Sequence, residues 1–205
     1  MLAMERSTRR SGTAWRPRRL VITRSARAYP HARAILERAV ALGTDVVELA
    51  GDRLTLGLPE DPRRAYAEAK NMVAVVVAPP SKRRLQPIAP SADWRVDLAE
   101  GCPAHCSYCY LAGSLKGPPI TRVYANLDEI LEGLPDYLGQ GMITSRNSAR
   151  AHEGTTFEAS CYTDPLALEA LTGYLFVMPP YSWNKKIQAV WESFRSDVQN
   201  HQFDR

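Results

Sequence analysis

The stretch AEGCPAHCSYCYLAGS, residues 99–114, holds three of the chain's four cysteines within eight residues. Cys102, Cys106 and Cys109 follow a C-x3-C-x2-C spacing directly after a short predicted strand. A loop of that span can turn all three sulfurs toward one centre. Because clustered thiolates are ligands for zinc and for iron–sulfur clusters, the spacing predicts a metal centre in this loop.

The number of thiols separates two kinds of metal centre. A structural zinc site needs four ligands. The fourth could be His105 or Cys161, although the chain has no second cysteine pair at zinc-ribbon spacing. A [4Fe–4S] cluster usually takes four cysteines, so three would leave one iron open to a small molecule, which is a catalytic arrangement. The residues therefore favour an open iron–sulfur cluster and leave a zinc site or structural thiols as the alternatives.

Composition points to a globular protein that can bury a core. The chain has 205 residues, of which 45% are apolar and 23% charged. No apolar run reaches the roughly 18 residues of a membrane span, and the arginine-rich N-terminus lacks the apolar segment of a secretory signal. We therefore expect a cytoplasmic protein with no membrane partner, whose clustered cysteines serve metal or redox chemistry rather than disulfides.

Positive charge is concentrated at the N-terminus. Residues 1–38 contain ten arginines against two glutamates, whereas the remainder of the chain is slightly acidic. Such a basic arm can contact nucleic-acid phosphates. It can equally be a solvated leader, which is the more common use of an arginine-rich terminus.

The pattern of apolar residues predicts an α/β fold. RRLVITRSA, DVVELAG and VAVVVAPP are predicted strands, separated by helices over PHARAILERAVALG and RRAYAEAKNM. Further along, a strand is expected near 94–98 and another near 155–161, the latter carrying Cys161. A helix is expected in NLDEILEGLPDYL, and another in DPLALEALTGYL. Alternating strands and helices favour a layered α/β architecture.

Several segments resemble the spore photoproduct lyase family of the radical S-adenosylmethionine (SAM) enzymes. The C-x3-C-x2-C motif followed by an aromatic residue is the signature of that superfamily. PSADWRVDLAEGCPAHCSYCYLAGSLKGPP, TRVYANLDEIL and FEASCYTDPLALEALTG are similar to this particular family. The resemblance covers about residues 15–175. It implies a partial (β/α) barrel preceded by a small α/β domain.

The resemblance also implies a reaction and its partners. The family uses a [4Fe–4S] cluster and SAM, with an external one-electron reductant such as flavodoxin or ferredoxin, to make a 5′-deoxyadenosyl radical. That radical starts the direct reversal of a thymine dimer photoproduct in DNA. A lesion that must be extruded from a duplex calls for basic residues around the site, for which Lys116, Arg122 and residues 82–84 are candidates, although surface charge is the usual explanation.

The family's functional cysteines have counterparts in this chain. Cys102, Cys106 and Cys109 would be the cluster ligands, and Gly101 would allow the tight turn at the strand end. Cys161 matches the cysteine that returns a hydrogen atom to the product thymyl radical. The alternative is that Cys161 serves only as a small buried apolar residue.

Four further positions have implied roles near SAM. Tyr108 and Tyr110 flank the last cluster cysteine, where the family uses tyrosines near SAM and in radical relay; packing aromatics are the alternative. Thr163 and Asp164 lie where the family holds the methionyl group of SAM. Asp164 could instead cap the helix that begins at Pro165, and it could serve both purposes.

The resemblance ends after Gly173, and the expected domain organisation follows from that. We expect a C-terminally truncated family member with an incomplete barrel. The alternative is an inactive remnant or a module that binds a cluster or zinc without turnover. The expected parts are a disordered basic leader (1–14), a small α/β domain (15–80), a linker (81–93), the start of the barrel (94–175) and a divergent tail (176–205).

Overall fold

The strands that the structure describes form two sheets, and the larger one has five strands, three of them from the N-terminal part of the chain. The computed structural model describes residues 15–104, 118–144, 147–149 and 154–174, so the predictions for the leader 1–14 and the tail 176–205 lie outside it. Its strands are β1 (Arg19–Ile22), β2 (Asp45–Glu48), β3 (Met72–Val76), β6 (Ala99–Glu100) and β7 (Thr121–Tyr124). They lie in the order β2-β1-β3-β7-β6, and all neighbours are parallel except β6 and β7.

Helices α1 and α2 connect β1 to β2 and β2 to β3, the first three strands of this sheet along the chain. Helix α1 spans Pro30–Ala41, as its apolar spacing predicts, and helix α2 spans Pro62–Lys70, as the Asp61-Pro62 pair at its start predicts. Gly43 follows α1 with a positive φ of 73°, a conformation that suits glycine at a helix end. The Asp61 side chain accepts the backbone N–H of Arg64 at 2.8 Å and so caps the start of α2.

A second, three-stranded sheet takes in the segment expected to be a linker. Residues 81–93 contain most of a short helix, α3 (Pro80–Arg83). They also contain strand β4 (Gln86–Ile88) and the first two residues of β5 (Ala92–Val96). β4 pairs antiparallel with β5, and β5 pairs parallel with β8 (Phe157–Ala159). The segment is part of the folded domain, because Leu85 is buried in the core and Lys82 and Arg83 of α3 form ion pairs.

Strand β7 was not expected from the sequence. It pairs with β3 on one side and with β6 on the other. It lies beside β3 in the first sheet, although it follows the cysteine loop in sequence. The larger sheet therefore draws strands from both sides of the expected boundary between residues 80 and 94. Its four residues, TRVY, are too few for periodicity to identify a strand.

The C-terminal part of the described chain packs back on α1. It contains α4 (Leu127–Leu131), a 3-10 turn (Leu134–Tyr137) and α5 (Pro165–Thr172). Arg38 of α1 donates to the carbonyl of Thr172 at 2.7 Å. One cluster of buried side chains runs from Leu20 to Tyr174, so both sheets share a hydrophobic core. No helix in the described ranges has the length and apolarity needed to cross a membrane.

Candidate functional site

The cysteine loop starts at a turn that only glycine can make. β6 ends at Glu100, and Gly101 follows with a φ of 80°. A Cβ at this position would lie 2.6 Å from the carbonyl oxygen of Ile120, at the start of the neighbouring strand. The turn delivers Cys102, which is half-buried and not in a disulfide. Gly101 thus sets the direction in which the first of the three cysteines leaves the sheet.

Gly101→Ala is expected to destabilise the fold by about 2–3 kcal/mol, because it adds both backbone strain and a steric clash. Gly57→Ala is the matched control, since Gly57 also has a positive φ, 58°, but an added methyl group would meet no atom within 4 Å. Chemical denaturation of both variants should show the larger loss for Gly101→Ala. Equal losses would mean that the close approach to Ile120 contributes nothing.

The beginning of the loop is held by a buried lysine. Lys70, at the end of α2, donates from Nζ to the carbonyl oxygens of Cys102 at 2.6 Å and Ala104 at 2.8 Å. The other predicted loop residues lie outside the described part of the chain: His105, Cys106, Tyr108, Cys109, Tyr110 and Lys116. Within the described ranges no group of three His, Cys, Asp or Glu residues could hold a metal ion. The ligand set of three cysteines therefore stays a prediction.

Cys161 lies just past a strand, not on it as expected. β8 ends at Ala159, because Ser160 adopts a positive φ of 59°, which is rare for a residue with a Cβ. Two hydrogen bonds hold this conformation: the Ser160 N–H donates to Val96 O at 2.7 Å, and its Oγ accepts the Leu98 N–H at 3.0 Å. Cys161 is therefore presented from a turn at the carboxyl end of β8.

Arg95, Asp97 and Tyr162 surround Cys161. The guanidinium carbon of Arg95 lies 4.5 Å from the ring centre of Tyr162, and its Nε lies 3.1 Å from Oδ1 of Asp97. Burial raises the pKa of the Cys161 thiol, and Arg95 opposes that shift only in part. The thiol therefore keeps its proton at neutral pH. Burial likewise raises the pKa of Asp97, against the attraction of Arg95.

Thr163 and Asp164 occupy the start of α5. The Asp164 carboxylate accepts the N–H groups of Leu166 at 3.0 Å and Ala167 at 3.2 Å, so it caps the helix. That is one of the two uses expected for it. The Oγ1 of Thr163 is buried and has no hydrogen-bond partner among the residues that the structure describes. A buried hydroxyl in that state is available to another polar group.

A second buried carboxylate fixes β8 next to β5. Asp93, with 2% exposure, accepts the N–H groups of Ile143 at 2.7 Å, Thr144 at 3.0 Å and Thr156 at 3.0 Å, as well as both threonine hydroxyls. Burial raises the pKa of Asp93, but these hydrogen bonds outweigh burial and lower that pKa to about 2. Gly141 lies so close to this carboxylate that a Cβ would overlap it.

The basic residues suggested for DNA contact have mixed surroundings. Lys82 pairs with Glu100, and Arg83 pairs with Glu129 at 2.8 Å, so both have ordinary structural partners. Arg84 is exposed, and Arg122 is half-buried on β7. Their role toward DNA stays a prediction.

The fold and site define a mixed α/β protein with part of a barrel-like parallel sheet and a cysteine loop leaving one strand end. The model of the family described as spore photoproduct lyase matches residues 15–186, and the chain belongs to that family. It is 32% identical over 157 residues to a spore photoproduct lyase of Geobacillus sp. (strain Y412MC61) and 29% identical over 157 residues to that of Bacillus subtilis (strain 168). Each match covers 76% of this chain and 43% of the relative.

Solved structures of spore photoproduct lyase match the fold as well. One, complexed with dinucleoside spore photoproduct, has a TM-score of 0.65 at 31% identity and covers 78% of this chain and 44% of that one. A mutant with bound AdoMet and dinucleoside spore photoproduct has a TM-score of 0.65 at 30% identity, with the same coverage. The predicted family and α/β partial-barrel fold are thereby confirmed. The chain spans less than half the length of these relatives.

Proposed function

We propose that this protein is a radical SAM lyase that reverses a thymine photoproduct in DNA. One observation carries the proposal: the chain runs from the carboxyl end of β5 through β6 into the cysteine loop, and Cys161 follows the carboxyl end of β8, the parallel neighbour of β5. β5 and β8 are parallel neighbours, so their carboxyl ends meet. Residues 97–102 follow the carboxyl end of β5 and lead into the cysteine loop. Cys161 follows the carboxyl end of β8. Barrel enzymes place their active residues at this edge.

The residues present fit the cluster that the family implies. Cys102, Cys106 and Cys109 would hold three irons of a [4Fe–4S] cluster, and the turn at Gly101 starts the loop at the strand end. The cationic Lys70 at the loop entrance suits an anionic thiolate-bound group. When bound and reduced, the cluster would supply the electron that cleaves SAM to a 5′-deoxyadenosyl radical. The solved relative with bound AdoMet supports this cofactor.

Cys161 would complete the reaction by giving a hydrogen atom to the product thymyl radical. In that step the S–H bond breaks, a C–H bond forms and a thiyl radical is left on Cys161. The step requires a protonated thiol, and the burial that raises the pKa of Cys161 keeps it protonated. Arg95 and Tyr162 hold the adjoining turn in place.

Thr163 and Asp164 would bind the methionyl part of SAM. Thr163 has a buried hydroxyl that lacks a partner among the described residues, and Asp164 has a carboxylate whose Oδ1 caps α5. The carboxylate can accept further hydrogen bonds from an ammonium group while it caps the helix. Tyr108 and Tyr110 would lie near SAM or in the radical relay, and a flavodoxin or ferredoxin would supply the electron.

The proposal is tested by anaerobic reconstitution with iron and sulfide. A loaded protein should be brown, and reduction in the presence of SAM should release 5′-deoxyadenosine. A second candidate is a module that binds a cluster or zinc without turnover, because His105 or Cys161 could complete a four-ligand zinc site with the three loop cysteines. A colourless, zinc-loaded protein with no SAM cleavage would establish that second candidate and refute the first.

Cys161→Ala is expected to leave SAM cleavage intact but to divert the product radical to side products, because the hydrogen donor is gone. The measurement is mass spectrometry of the products from a dinucleoside spore photoproduct, in a form of the protein that turns over. Cys102→Ala is the opposite control, since it should prevent SAM cleavage altogether. An unchanged product profile in Cys161→Ala would count against its role as donor.

A further inference from the structure

Lys70 is a buried cation directed at the cysteine loop. It is the last residue of α2 and is 5% exposed. Its ammonium donates to the carbonyl oxygens of Cys102 and Ala104, which lie 32 and 34 residues further along the chain. Two short hydrogen bonds to one three-residue segment fix the path of the backbone on either side of Pro103. Lys70, at the end of α2, therefore positions Cys102, the first predicted cluster ligand.

The charge of Lys70 has no full negative partner within the part of the chain that the structure describes. The ion pairs there involve other cations, including Lys82 with Glu100. Carbonyl dipoles and the ring of Tyr66, 6.0 Å from Nζ, offset its charge only partly. Burying an unpaired ammonium costs free energy, so an anionic group beside it would be stabilised.

The chemistry of the loop limits what that anion can be. The stretch 101–117 contains no aspartate or glutamate. At neutral pH the only side chains there that can supply full negative charge are cysteines held as thiolates, which is the state of a cysteine bound to metal. A buried lysine beside a loop without carboxylates thus matches a thiolate-ligated centre, and it has no salt bridge among the residues that the structure describes.

We infer that Lys70 is a positioning residue for the iron–sulfur cluster. It anchors the carbonyls that flank the first ligand, and its positive charge offsets the negative charge of the thiolate-bound cluster. This inference rests on the proposed function. Because added positive charge favours the more negative, reduced state, Lys70 would raise the reduction potential of the cluster.

The test compares Lys70→Met, Lys70→Gln and Lys70→Arg with the exposed-charge control Arg63→Gln on the same helix. After reconstitution, iron and sulfide content and the reduction potential are measured. Lys70→Met is expected to bind the cluster about tenfold or more weakly, the usual range for loss of a group supporting a metal ligand. Its residual cluster should have a more negative potential. Lys70→Arg should retain most of both properties, and Arg63→Gln should match the wild type.

A measurement on the protein without a cluster separates this inference from the proposed function. Hydrogen exchange of residues 99–104 should be faster in Lys70→Gln than in the wild type, and Lys70→Gln also carries the test if Lys70→Met does not fold. Wild-type cluster content and reduction potential in Lys70→Met and Lys70→Gln would overturn the inference. A wild type that takes up no cluster would refute the proposed function and the charge-offsetting role together. Exchange would then decide the anchoring role alone, and unchanged exchange would overturn that too.

Discussion

Replacing Cys102 with alanine is expected to eliminate both cluster binding and reductive cleavage of SAM. Two thiolates cannot hold a cluster that already has one iron without a protein ligand, so the loss should be complete rather than partial. The measurement is iron and sulfide content after anaerobic reconstitution, together with release of 5′-deoxyadenosine on reduction. The fold should survive, because Cys102 lies in the loop and not in the buried core.

Cys161→Ala is the matched control for this prediction. It removes the one cysteine outside the C-x3-C-x2-C motif and should retain iron, sulfide and SAM cleavage. Retention of the cluster in Cys102→Ala would mean that another residue supplies the third ligand. Loss of the cluster in Cys161→Ala would instead favour a four-ligand site that includes Cys161.

Asp93→Asn is expected to destabilise the protein by about 2–4 kcal/mol. The amide NH2 group that replaces one carboxylate oxygen would face backbone N–H and threonine O–H donors in a buried place, with no acceptor for its own hydrogens. The carboxylate accepts five hydrogen bonds from Ile143, Thr144 and Thr156. An amide offers only one oxygen for these donors. Urea denaturation at neutral pH measures the change, with the exposed Asp136→Asn as the control. A loss no larger than that of the control would show that this network adds nothing to stability.

The same carboxylate should make stability fall in acid. Its folded pKa of about 2 lies below the usual value for aspartate of about 3.9, so its contribution is fully present above about pH 4. As the pH falls from 4 toward 2, the unfolded chain takes up a proton first, and about 2–3 kcal/mol is lost. The stability difference between the wild type and Asp93→Asn should therefore shrink over that window. A difference that stayed constant with pH would contradict a lowered pKa.

The regular α/β elements could be read from the sequence because their signals are local. Helix α1 has apolar residues at helical spacing and a glycine just past its end, and α2 begins at an Asp-Pro pair. Strand β7 and the short β4 could not be found in this way. Each has three or four residues, and its pairing, with the distant β3 for β7 and with the adjacent β5 for β4, rather than its own pattern, makes it a strand.

In the candidate site, too, local sequence patterns point to some residues, and long-range contacts reveal the others. Cysteine spacing predicts a metal loop, and the FEASCYTD segment predicts a functional Cys161, and both roles stay predictions. The residues that support them were missed. Lys70 reaches the loop across 32 residues, and Asp93 reaches Thr156 across 63. A lone lysine or aspartate in a sequence has no spacing that marks such a contact, and only the folded chain brings the partners together.

The antiparallel pairing of β6 with β7 has a consequence for assembly. Ala99 lies opposite Val123 and Glu100 opposite Arg122, so the two ends of the stretch 101–120 are joined by the sheet itself. The entropy of closing this loop is therefore spent when the sheet forms, and not when a metal arrives. Maturation of the centre would then be a late event on an already folded scaffold, and an iron-starved protein should keep its tertiary structure and remain competent for loading.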